Sequence, residues 1–334
     1  MSTKKILVTG ATGFLGGALA RRLSREGAPL RVFVRRITPA VEALDAEIVV
    51  GDLRDPESLA QATTGVETIH HTAALPGIWG KWRDYYETNT LGTIRLLEAA
   101  RRAGVRRFIF TSSPSVTFDG SPQECVDESA PYPKRWLAHY PRSKALAEQA
   151  VLAQHGQDGL ATCALRPHLI WGPGDRHLIP RLIARAKSGR LRRVGDGTNL
   201  IDNVYIDNAV EAQLAADRAL EERPAEVGGR AFFISQGRPV RCWQWIDEIL
   251  GIAGVPAITK SISFPAAYRI GYVCELIFQL LPKHIEPPMT RFLALQLAQP
   301  HYFDISKARE LLGYQPVVSH EEGMQRLAEW LHDG

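Results

Sequence analysis

The chain has 334 residues, of which 45% are hydrophobic, and its 40 Lys and Arg residues against 36 Asp and Glu residues give a formal net charge of only +4. This composition excludes an intrinsically disordered chain, a collagen-like fibre and a protein dominated by a charged tail. At roughly 150 residues per domain, the length predicts two domains or one large α/β unit, either of which can bury a sizeable core.

Basic residues occur mostly in pairs spread along the chain, and no single dense run stands out. The sequence pI of about 8.9 would permit nucleic-acid binding. However, the sequence has no aromatic platform motif, no zinc-ligand spacing and no basic helix followed by heptads. Solvated helix faces explain the charge better, so we expect no nucleic-acid partner.

The four cysteines, Cys125, Cys163, Cys242 and Cys274, lie far apart and without C-x-x-C spacing. This pattern argues against a zinc site and against a disulfide framework, and it favours reduced thiols in the cytoplasm. An apolar strand pattern begins within five residues of Met1, with no signal-peptide pattern before it. We therefore expect a cytoplasmic protein without a bound metal.

Residues 5 to 165 alternate short runs rich in Val, Ile and Phe with longer helical patterns. The predicted strands are KILVTG, LRVFVR, AEIVVGD, ETIHHTAA, RRFIFTSS and ATCALRP, and the predicted helices span about 14–26, 89–103 and 141–154. Such βαβ alternation predicts a doubly wound parallel sheet with helices on both faces, which is the Rossmann type of α/β fold.

The alternation weakens after Pro167, where loops rich in Gly and Pro interleave with helices. We predict a nucleotide-binding domain over residues 1–168, to which 200–222 return. A smaller, C-terminal substrate-binding lobe is predicted to consist of 169–199 and 223–334. Several separate segments would then build this second lobe.

The most apolar segment spans 264–282, and its apolar residues repeat at helical spacing. Those predicted to share one stripe are Phe264, Ala267, Gly271, Cys274, Phe278 and Leu281, while Arg269, Glu275 and Gln279 interrupt the segment. With fewer than about 18 uninterrupted apolar residues, the segment is too short to span a membrane. We expect a core helix or a lid over an apolar pocket. The alternative is an amphipathic surface that contacts lipid or a partner protein.

A glycine-rich turn, TGATGFLG, follows the first predicted strand and opens the first predicted helix. Gly10 permits the tight turn, Gly13 lets a pyrophosphate approach the backbone, and Gly16 allows close packing of the helix. The free N–H groups of the helix N-terminus are suited to bind the anion. A plain glycine turn is the alternative, but the position in the first βα unit predicts a dinucleotide site.

The end of the second predicted strand indicates which dinucleotide binds. A cofactor with a free ribose 2′-hydroxyl is usually met there by Asp or Glu, whereas this chain has Arg35 and Arg36. Guanidinium groups match a 2′-phosphate in geometry and charge, so we predict NADP(H) with Arg35 as the main clamp. An exposed arginine pair is the alternative. Asp52, at the end of the third strand, is expected either to accept a hydrogen bond from adenine or to cap a helix.

Tyr140 and Lys144 stand four residues apart in YPRSK, which places both side chains on one face of a helix. Ser113 ends the predicted strand RRFIFTSS at the carboxyl edge of the sheet, where doubly wound folds bind ligands. Reduction of a ketone needs a proton at oxygen while hydride arrives at carbon, and Tyr140 is the predicted donor. Burial alone would raise the pKa of this phenol. We therefore expect the Lys144 ammonium to lower that pKa and to hold the nicotinamide ribose, and Ser113 to donate to the carbonyl oxygen.

Asn89 lies within a predicted helix, where asparagine is a mediocre former, so we expect it to orient other groups of the site. The alternative is a polar residue on the helix surface.

These motifs follow one another in a recognisable order. TGATGFLG, GDLRDPESL, HTAAL, Asn89, Ser113 and YPRSK occur as in extended short-chain dehydrogenases/reductases, and the chain resembles that family over nearly its whole length. TSSPSV, LRPHLIWGPGDRHLIPRLI and HYFDISKARELLGYQP resemble its 3β-hydroxysteroid dehydrogenase branch. The resemblance implies that Ser113, Tyr140 and Lys144 are catalytic and that Asn89 assists them. Further cofactor contacts are expected from Thr12, Phe14, Leu15, Leu53, Ala73, Ala74, Pro167 and His168.

Apolar residues follow two strands at the ligand edge of the predicted sheet. Ile78, Trp79 and Trp82 follow the fourth strand, and Leu169, Trp171 and Leu178 follow the sixth. We expect contacts with a large apolar substrate from Ile78, Trp79, Trp82, Trp171 and Leu178, beside Ser113. The tryptophans would serve equally as core residues, and His168, with no partner at metal-ligand spacing, is expected to pack in the cofactor loop.

The resemblance implies NADPH-dependent reduction of a hydrophobic 3-oxo compound, with a 2-alkyl-3-oxo fatty acid of bacterial olefin biosynthesis as the expected substrate. The alternatives are dehydrogenation of a 3β-hydroxysteroid or 4-carboxysterol, a nucleotide-sugar epimerase or reductase, and a non-catalytic NADP sensor. The intact Ser/Tyr/Lys set argues against the sensor, and the lack of a spanning segment argues against the membrane-bound steroid enzymes. A homodimer formed through the helices around Asn89 and Lys144 is also implied.

Overall fold

The computed structural model describes residues 5–281 and 285–333. The strands in chain order are β1 (Lys5–Thr9), β2 (Leu30–Val34), β3 (Glu47–Val50), β4 (Val66–His71), β5 (Arg107–Thr111), β6 (Gln123–Val126), β7 (Ala161–Pro167), β8 (Ile170–Trp171), β9 (Arg193–Val194), β10 (Leu200–Ile201), β11 (Val204–Tyr205), β12 (Arg230–Ile234), β13 (Val240–Arg241), β14 (Ser261–Ile262) and β15 (His301–Phe303).

The helices in chain order are α1 (Phe14–Arg25), α2 (Pro39–Glu42), α3 (Pro56–Thr63), α4 (Trp82–Tyr85), α5 (Gly92–Arg102), α6 (His139–Ala153), α7 (Leu178–Lys187), α8 (Ile206–Glu222), α9 (Pro224–Val227), α10 (Cys242–Ile252), α11 (Phe264–Gln279), α12 (Arg291–Ala298), α13 (Ser306–Leu312) and α14 (His320–Asp333). A π-helical turn, Tyr86–Leu91, joins α4 to α5, and short 3-10 turns lie at Pro114–Thr117 and Gln157–Gly159.

Seven parallel strands form the main sheet, in the order β12-β7-β5-β4-β1-β2-β3. The chain therefore winds outward from β1 in both directions, which confirms the predicted doubly wound α/β fold. Because β4 and β2 lie on either side of β1, the strand order reverses next to β1. The crevice at the carboxyl ends of these strands is the place where such sheets bind ligands.

Both faces of the main sheet are buried, as expected where helices cover both sides. Leu7 and Val8 are neighbours in β1, yet they belong to two separate hydrophobic clusters because successive side chains of a strand point to opposite faces. Val8 packs in the cluster that includes Leu19 of α1, whereas Leu7 packs in the one that includes Leu96 of α5. Helix packing on both faces thus holds the carboxyl edge of β1 in place.

The second lobe is built around a small sheet in the order β13-β10-β15-β6, with the two-stranded pairs β11-β8 and β14-β9 beside it. The predicted boundaries are wrong at three strands, β12, β6 and β10. The sequence predicts β12 in the substrate lobe, but β12 pairs with β7 as an edge strand of the main sheet. The sequence predicts β6 in the nucleotide-binding domain, but β6 pairs with β15 in the small sheet. β10, at the start of the predicted return segment 200–222, pairs with β13 and β15 in the small sheet. Helix α8, from the same segment, packs on α1 and on β5 and β7 of the main sheet.

Candidate active site

The glycine turn between β1 and α1 has the geometry of a phosphate cradle. Gly10 has a φ of +77°, a left-handed conformation that favours glycine. A Cβ atom on Gly16 would stand 2.4 Å from the Gly10 carbonyl oxygen and from Thr72 Oγ1, and one on Gly10 would stand 2.8 Å from the Ala73 backbone. Gly13, the N-cap of α1, brings no side chain to the helix N-terminus. The turn leaves room and backbone N–H donors for a diphosphate, so the residues present fit a dinucleotide.

Three arginines surround the ends of β2 and β3. Arg35 and Arg36 directly follow β2, and both are exposed. Asp52 accepts from Arg54 Nε at 2.9 Å and from Nη2 at 2.8 Å. Arg54, and more weakly Arg35, hold the pKa of Asp52 below its usual value. Sequence analysis missed Arg54, and the helix-capping alternative for Asp52 is wrong because Asp55 caps α3 by accepting two backbone N–H groups.

Ser113 and Tyr140 meet at the carboxyl edge of the main sheet. Ser113 lies two residues past the end of β5, and its Oγ is 2.8 Å from Ser115 Oγ. Tyr140 is in the first turn of α6. Burial raises the pKa of Tyr140 to about 12, and a hydrogen bond with Ser113 opposes that shift. The phenol therefore holds its proton at neutral pH, which suits a proton donor.

Lys144 lies one turn further along α6, and its side chain is buried. Its Nζ donates to the Thr111 carbonyl oxygen at 2.6 Å and stands 4.0 Å from the centroid of the Phe110 ring. Burial lowers the pKa of Lys144 to about 7, and the negative charge of Glu148 opposes this shift. The expected lowering of the Tyr140 pKa by Lys144 is not found in this structure, because burial disfavours the charged forms of both groups.

A buried ion-pair network continues along α6, and sequence analysis missed it. Glu148, one turn after Lys144, accepts from Arg166 Nη2 at 2.6 Å and from its Nε at 3.1 Å. The Tyr132 hydroxyl donates to Glu148 Oε1 at 2.7 Å. Glu148 is 0% exposed and Arg166 3%. The network ties α6 to β7 and to the loop before α6, and the regular spacing of Tyr140, Lys144 and Glu148 is the pattern that could have revealed it.

Asn89 holds the loop after β4 against α6. It lies in the π-helical turn between α4 and α5 and is 1% exposed. Its Oδ1 accepts from the Leu75 backbone N–H at 2.7 Å, while Nδ2 donates to the Leu75 carbonyl at 3.1 Å and to Ser143 Oγ at 3.0 Å. Helical turns with the π geometry occur frequently at functional sites. The alternative of a surface polar residue is wrong, since Asn89 is buried and bonded on both sides.

His71 links the end of β1 to this Asn89 turn. Its Nε2 lies 2.9 Å from Thr93 Oγ1, which itself donates to the Asn89 carbonyl oxygen at 2.7 Å. Thr93 must therefore accept from His71, which assigns the ring proton to Nε2. His71 Nδ1 is then the acceptor for Thr9 Oγ1, 2.7 Å away. Burial lowers the pKa of His71 to about 3, so the ring stays neutral.

An apolar cluster borders the catalytic edge. Its members are Phe118, Ala138, Phe292 and Leu295, with Ile78, Leu137, Phe264 and Tyr268 packed against them. Ala138 immediately precedes α6, and Ile78 comes from the loop after β4. The second lobe contributes Phe292 and Leu295 from α12 and Phe264 and Tyr268 from α11. Both lobes thus bring apolar side chains to the vicinity of Tyr140.

Aromatic residues of the loop after β4 also lie near the catalytic edge. The Tyr85 hydroxyl is 2.9 Å from the Gly77 carbonyl oxygen and 3.1 Å from that of Trp79. The Tyr85 ring stands edge-on to the Tyr140 ring, with centroids 6.5 Å apart. Trp82, the first residue of α4, stacks on Tyr86 of the π-helical turn, and the Arg142 guanidinium lies 4.3 Å from the centroid of the Trp82 ring. Tyr85, which sequence analysis missed, holds this loop against Tyr140.

Trp171 does not lie in a substrate pocket. It is 0% exposed, its Nε1 donates to Asn203 Oδ1 at 3.0 Å, and its ring packs edge-on against Tyr205 and Trp245. The predicted contact between Trp171 and the substrate is therefore wrong. Trp171 is a core residue, which was the alternative interpretation. Leu178, at the start of α7, is partly buried against the same core.

His168 joins the two lobes through a second histidine. Its Nε2 lies 2.6 Å from Nδ1 of His301 in β15. Burial lowers the pKa of His168, and that of His301 falls to about 4. In the part of the chain that the structure describes, no group of three or more His, Cys, Asp or Glu side chains is placed to hold a metal ion.

The other predicted cofactor residues lie around the glycine turn and its neighbouring strands. Thr12 is exposed in the turn, Phe14 and Leu15 open α1, Leu53 is buried after β3, Ala73 and Ala74 follow β4, and Pro167 ends β7.

Comparison with known proteins places the chain among enzymes of one family. The model of the 3-beta hydroxysteroid dehydrogenase/isomerase family matches residues 7–265. The 2-alkyl-3-oxoalkanoate reductase of Stenotrophomonas maltophilia is 45% identical over 97% of this chain and 98% of its own length. The decarboxylating sterol-4-alpha-carboxylate 3-dehydrogenase of Mus musculus is 32% identical over 98% of this chain and 91% of its own length.

Solved structures agree with the fold. UDP-glucuronic acid 4-epimerase from Bacillus cereus in complex with NAD is 25% identical and matches with a TM-score of 0.74, over 98% of this chain and 99% of that one. The chain is an oxidoreductase of the short-chain dehydrogenase/reductase type that acts on hydroxyl or keto groups with a nicotinamide cofactor. By sequence and by fold, it belongs to the 3-beta hydroxysteroid dehydrogenase/isomerase family.

Proposed function

We propose that this chain is an NADPH-dependent reductase of a hydrophobic 3-oxo compound, and that it reduces a 2-alkyl-3-oxoalkanoate to the 2-alkyl-3-hydroxyalkanoate. The observation that carries the proposal is the meeting of Ser113 and Tyr140, one helical turn from Lys144, at the sheet edge beside the glycine cradle. Relatives in Stenotrophomonas maltophilia and Shewanella oneidensis, at 45% and 41% identity, are both named 2-alkyl-3-oxoalkanoate reductase, which supports this substrate class.

In the proposed reaction, Tyr140 gives its phenolic proton to the carbonyl oxygen of the substrate. The reduced nicotinamide, when bound, supplies the hydride to the carbonyl carbon. Ser113 donates a hydrogen bond to the same oxygen as negative charge develops there. Lys144, when protonated, stabilises the phenolate that remains on Tyr140, and Asn89 acts as a positioning residue through Leu75 and Ser143.

The proposed cofactor site extends from the glycine turn to the end of β7. We assign it to Gly10, Thr12, Gly13, Phe14, Leu15, Gly16, Arg35, Arg36, Asp52, Leu53, Ala73, Ala74, Tyr140, Lys144, Pro167 and His168. The exposed guanidinium of Arg35 supports NADP(H) over NAD(H), because it offers a planar donor pair to a 2′-phosphate. Arg54 is a third candidate, although its side chain is already paired with Asp52.

The proposed substrate site uses Ile78, Trp79, Trp82 and Leu178 beside Ser113. The apolar cluster around Ile78 supports an alkyl substrate, because its described members present aliphatic and aromatic groups close to the catalytic edge. Such a wall offers little to a nucleotide diphosphate, which disfavours a nucleotide-sugar substrate.

A 4-carboxysterol dehydrogenase is the second candidate function. It is favoured by the identity of 32% to the mouse sterol-4-alpha-carboxylate 3-dehydrogenase over nearly the whole chain. Oxidation at carbon 3 of a 4-carboxysterol gives a β-keto acid, so the two candidates share local chemistry. The same catalytic residues would serve both functions, so the shape of the substrate must distinguish between the two candidates.

A substrate screen tests the proposal. The purified chain is mixed with NADPH or NADH, and cofactor absorbance is followed with 2-alkyl-3-oxo acids of increasing chain length, with a 4-carboxy-3-oxosterol and with a UDP-4-keto sugar. We expect NADPH oxidation to be fastest with the long-chain 2-alkyl-3-oxo acids. Faster turnover of the sterol would favour the second candidate, and turnover of the nucleotide sugar alone would overturn both.

We also propose a homodimer formed through α5 and α6, the helices that carry or adjoin Asn89 and Lys144. These two helices pack side by side in the main domain. Light scattering of the purified chain tests this proposal, and a monomer at all concentrations would contradict it.

A further inference from the structure

The outer face of α11 exposes a large apolar surface. Among the described residues, eight of the thirteen large hydrophobic side chains that are exposed lie between positions 270 and 285. They are Ile270, Tyr272, Val273, Leu276, Ile277, Leu280, Leu281 and Ile285, and Leu280 is 88% exposed. Apolar patches of this kind on a folded protein mark binding surfaces. Five of these residues lie on α11 and the last three follow it, and we call all eight the α11 patch.

The acidic residue of α11 is turned away from this patch. Glu275 is the one acidic residue between positions 264 and 279, and it is 7% exposed. Its carboxylate accepts from the Arg291 backbone N–H at 2.7 Å and from Arg291 Nε at 2.7 Å. Arg269, in contrast, is exposed. The outward side of α11 therefore presents apolar and basic groups without a carboxylate from the helix.

A basic segment meets the residues that flank the patch helix at both of its ends. Residues 176–193 contain seven Lys and Arg residues and no Asp or Glu. Those that are exposed are Arg176, Arg181, Lys187, Arg190 and Arg192. This concentration contradicts the expectation that the chain has no dense basic run. The seven basic residues are spread over α7 and the residues on either side of it, so they form no consecutive run in the sequence.

Two contacts join the ends of the basic segment to the residues that flank α11. At the start of α7, Arg181 forms an ion pair with Glu286, a few residues past the end of α11. At the other end, β9 pairs with β14, and the Arg193 N–H donates to the Lys260 carbonyl at 2.9 Å, just before α11. Because the start of the segment meets the residues after α11 and its end meets the residues before α11, the segment and α11 run in opposite directions.

We propose that the α11 patch and the basic segment 176–193 together bind the surface of an anionic phospholipid bilayer. Exposed aliphatic side chains enter the boundary between headgroups and acyl chains, while neighbouring Arg and Lys side chains contact lipid phosphates. No helix within the described residues has the length and hydropathy to cross a bilayer. The binding is therefore peripheral, along the plane of the membrane.

The inner side of α11 connects membrane docking with the proposed reaction. Phe264 and Tyr268 of α11 pack with Ile78 and Phe292 in the apolar cluster beside the catalytic edge. One helix thus separates the bilayer from the apolar wall of the site. An alkyl substrate that partitions into the membrane would reach the site from this side, an extension that rests on the proposed function.

Vesicle co-sedimentation tests the docking without cofactor or substrate. The purified full chain is mixed with vesicles of phosphatidylglycerol and phosphatidylcholine in equal parts, or with phosphatidylcholine alone. We expect binding to the anionic vesicles that weakens at high salt, since surface charge is screened. Val273→Gln combined with Ile277→Gln, and separately Arg190→Gln combined with Arg192→Gln, should each weaken binding by at least about tenfold. Val317→Gln, at an exposed apolar position outside the patch, is the matched control.

Several outcomes overturn the proposal. Equal binding to both vesicle types, no binding to either, or equal loss in the Val317→Gln control would each do so. If the α11 variants instead convert a dimer to a monomer, the patch is an interface between copies of the chain. Vesicle binding by a chain that reduces no 3-oxo compound would overturn the proposed function and leave the docking site standing.

Discussion

The catalytic edge of the main sheet and the outer face of α11 follow opposite rules of burial. At the catalytic edge, polar side chains such as Asn89, His71 and Lys144 are buried, and each is hydrogen-bonded to a named partner. On α11, large apolar side chains face solvent. A buried polar group costs free energy unless it is bonded, so a maintained network indicates that atoms must be held in place for chemistry. Exposed apolar surface indicates that something else must cover it.

Removal of the phenol is the change with the largest expected effect. Tyr140→Phe keeps the ring but removes the proton donor, so we expect kcat to fall by about 10²- to 10⁴-fold. NADPH affinity, measured by fluorescence titration, should stay near that of the unchanged protein. Tyr302→Phe, in β15 of the small sheet and outside both the catalytic edge and the α11 patch, is the matched control and should keep full turnover. Near-normal turnover of Tyr140→Phe would remove the proton-donor role and with it the contrast between the two regions.

The buried ion pair should dominate the stability of the catalytic edge. Glu148→Gln leaves the Arg166 charge buried without its carboxylate, so we expect the free energy of unfolding to fall by about 3 to 5 kcal/mol. Glu226→Gln is the control, because Glu226 stands 3.6 Å from Arg223 in an exposed pair worth less than about 1 kcal/mol. Urea unfolding measures both. Equal losses in the two variants would mean that burial of the Glu148 pair has no special role.

Cofactor preference should depend on the end of β2. Hydrogen bonds to charged groups contribute about 1.5 to 3 kcal/mol, so Arg35→Ala should reduce the preference for NADPH over NADH by roughly 10- to 100-fold. Arg36→Ala and Arg54→Ala are parallel variants that show whether the phosphate is held elsewhere. The ratio of kcat/KM for the two cofactors is the measurement. An unchanged ratio in Arg35→Ala would assign the phosphate to another residue.

The pH dependence of stability tests the burial of Lys144, and it has the smallest expected effect. Burial lowers the pKa of Lys144 from 10.5 to about 7. Between these values the unfolded chain binds a proton that the folded chain has lost, so this residue adds stability as the pH rises through that window. The slope is at most about 1.4 kcal/mol per pH unit.

Lys144→Met isolates this contribution. The variant is neutral at every pH, so its free energy of unfolding should rise less steeply than that of the unchanged, cofactor-free protein between about pH 7.5 and 9.5. Other titrating groups are common to both proteins and cancel in the difference. Parallel slopes would mean that Lys144 keeps its proton in the folded state.

Much of the fold and part of the site follow from spacing along the chain. The βαβ alternation predicts the parallel sheet, and the helix predicted over 141–154 is found over His139–Ala153. The glycine turn is predictable because three residues of one local motif make it. The spacing in YPRSK puts Tyr140 and Lys144 on one helix face, and short-range geometry alone requires this.

The tertiary structure decided what depends on distant partners. The sequence predicts that Trp171 lies in a loop, but contacts with Asn203 and Trp245 enclose its side chain in the core. The pKa of Lys144 is set by burial and by Glu148, and no local spacing reports burial.

The sequence by itself determined the α/β class, the nucleotide cradle and the catalytic pair, because these arise from residues within a few positions of one another. Only the tertiary structure decided that β12 belongs to the main sheet, that Arg166 neutralises Glu148, and that the ends of 176–193 meet the residues flanking α11. The physical reason is that packing, burial and charge pairing depend on which remote segments meet in space. The local periodicity of the sequence does not indicate which segments these are.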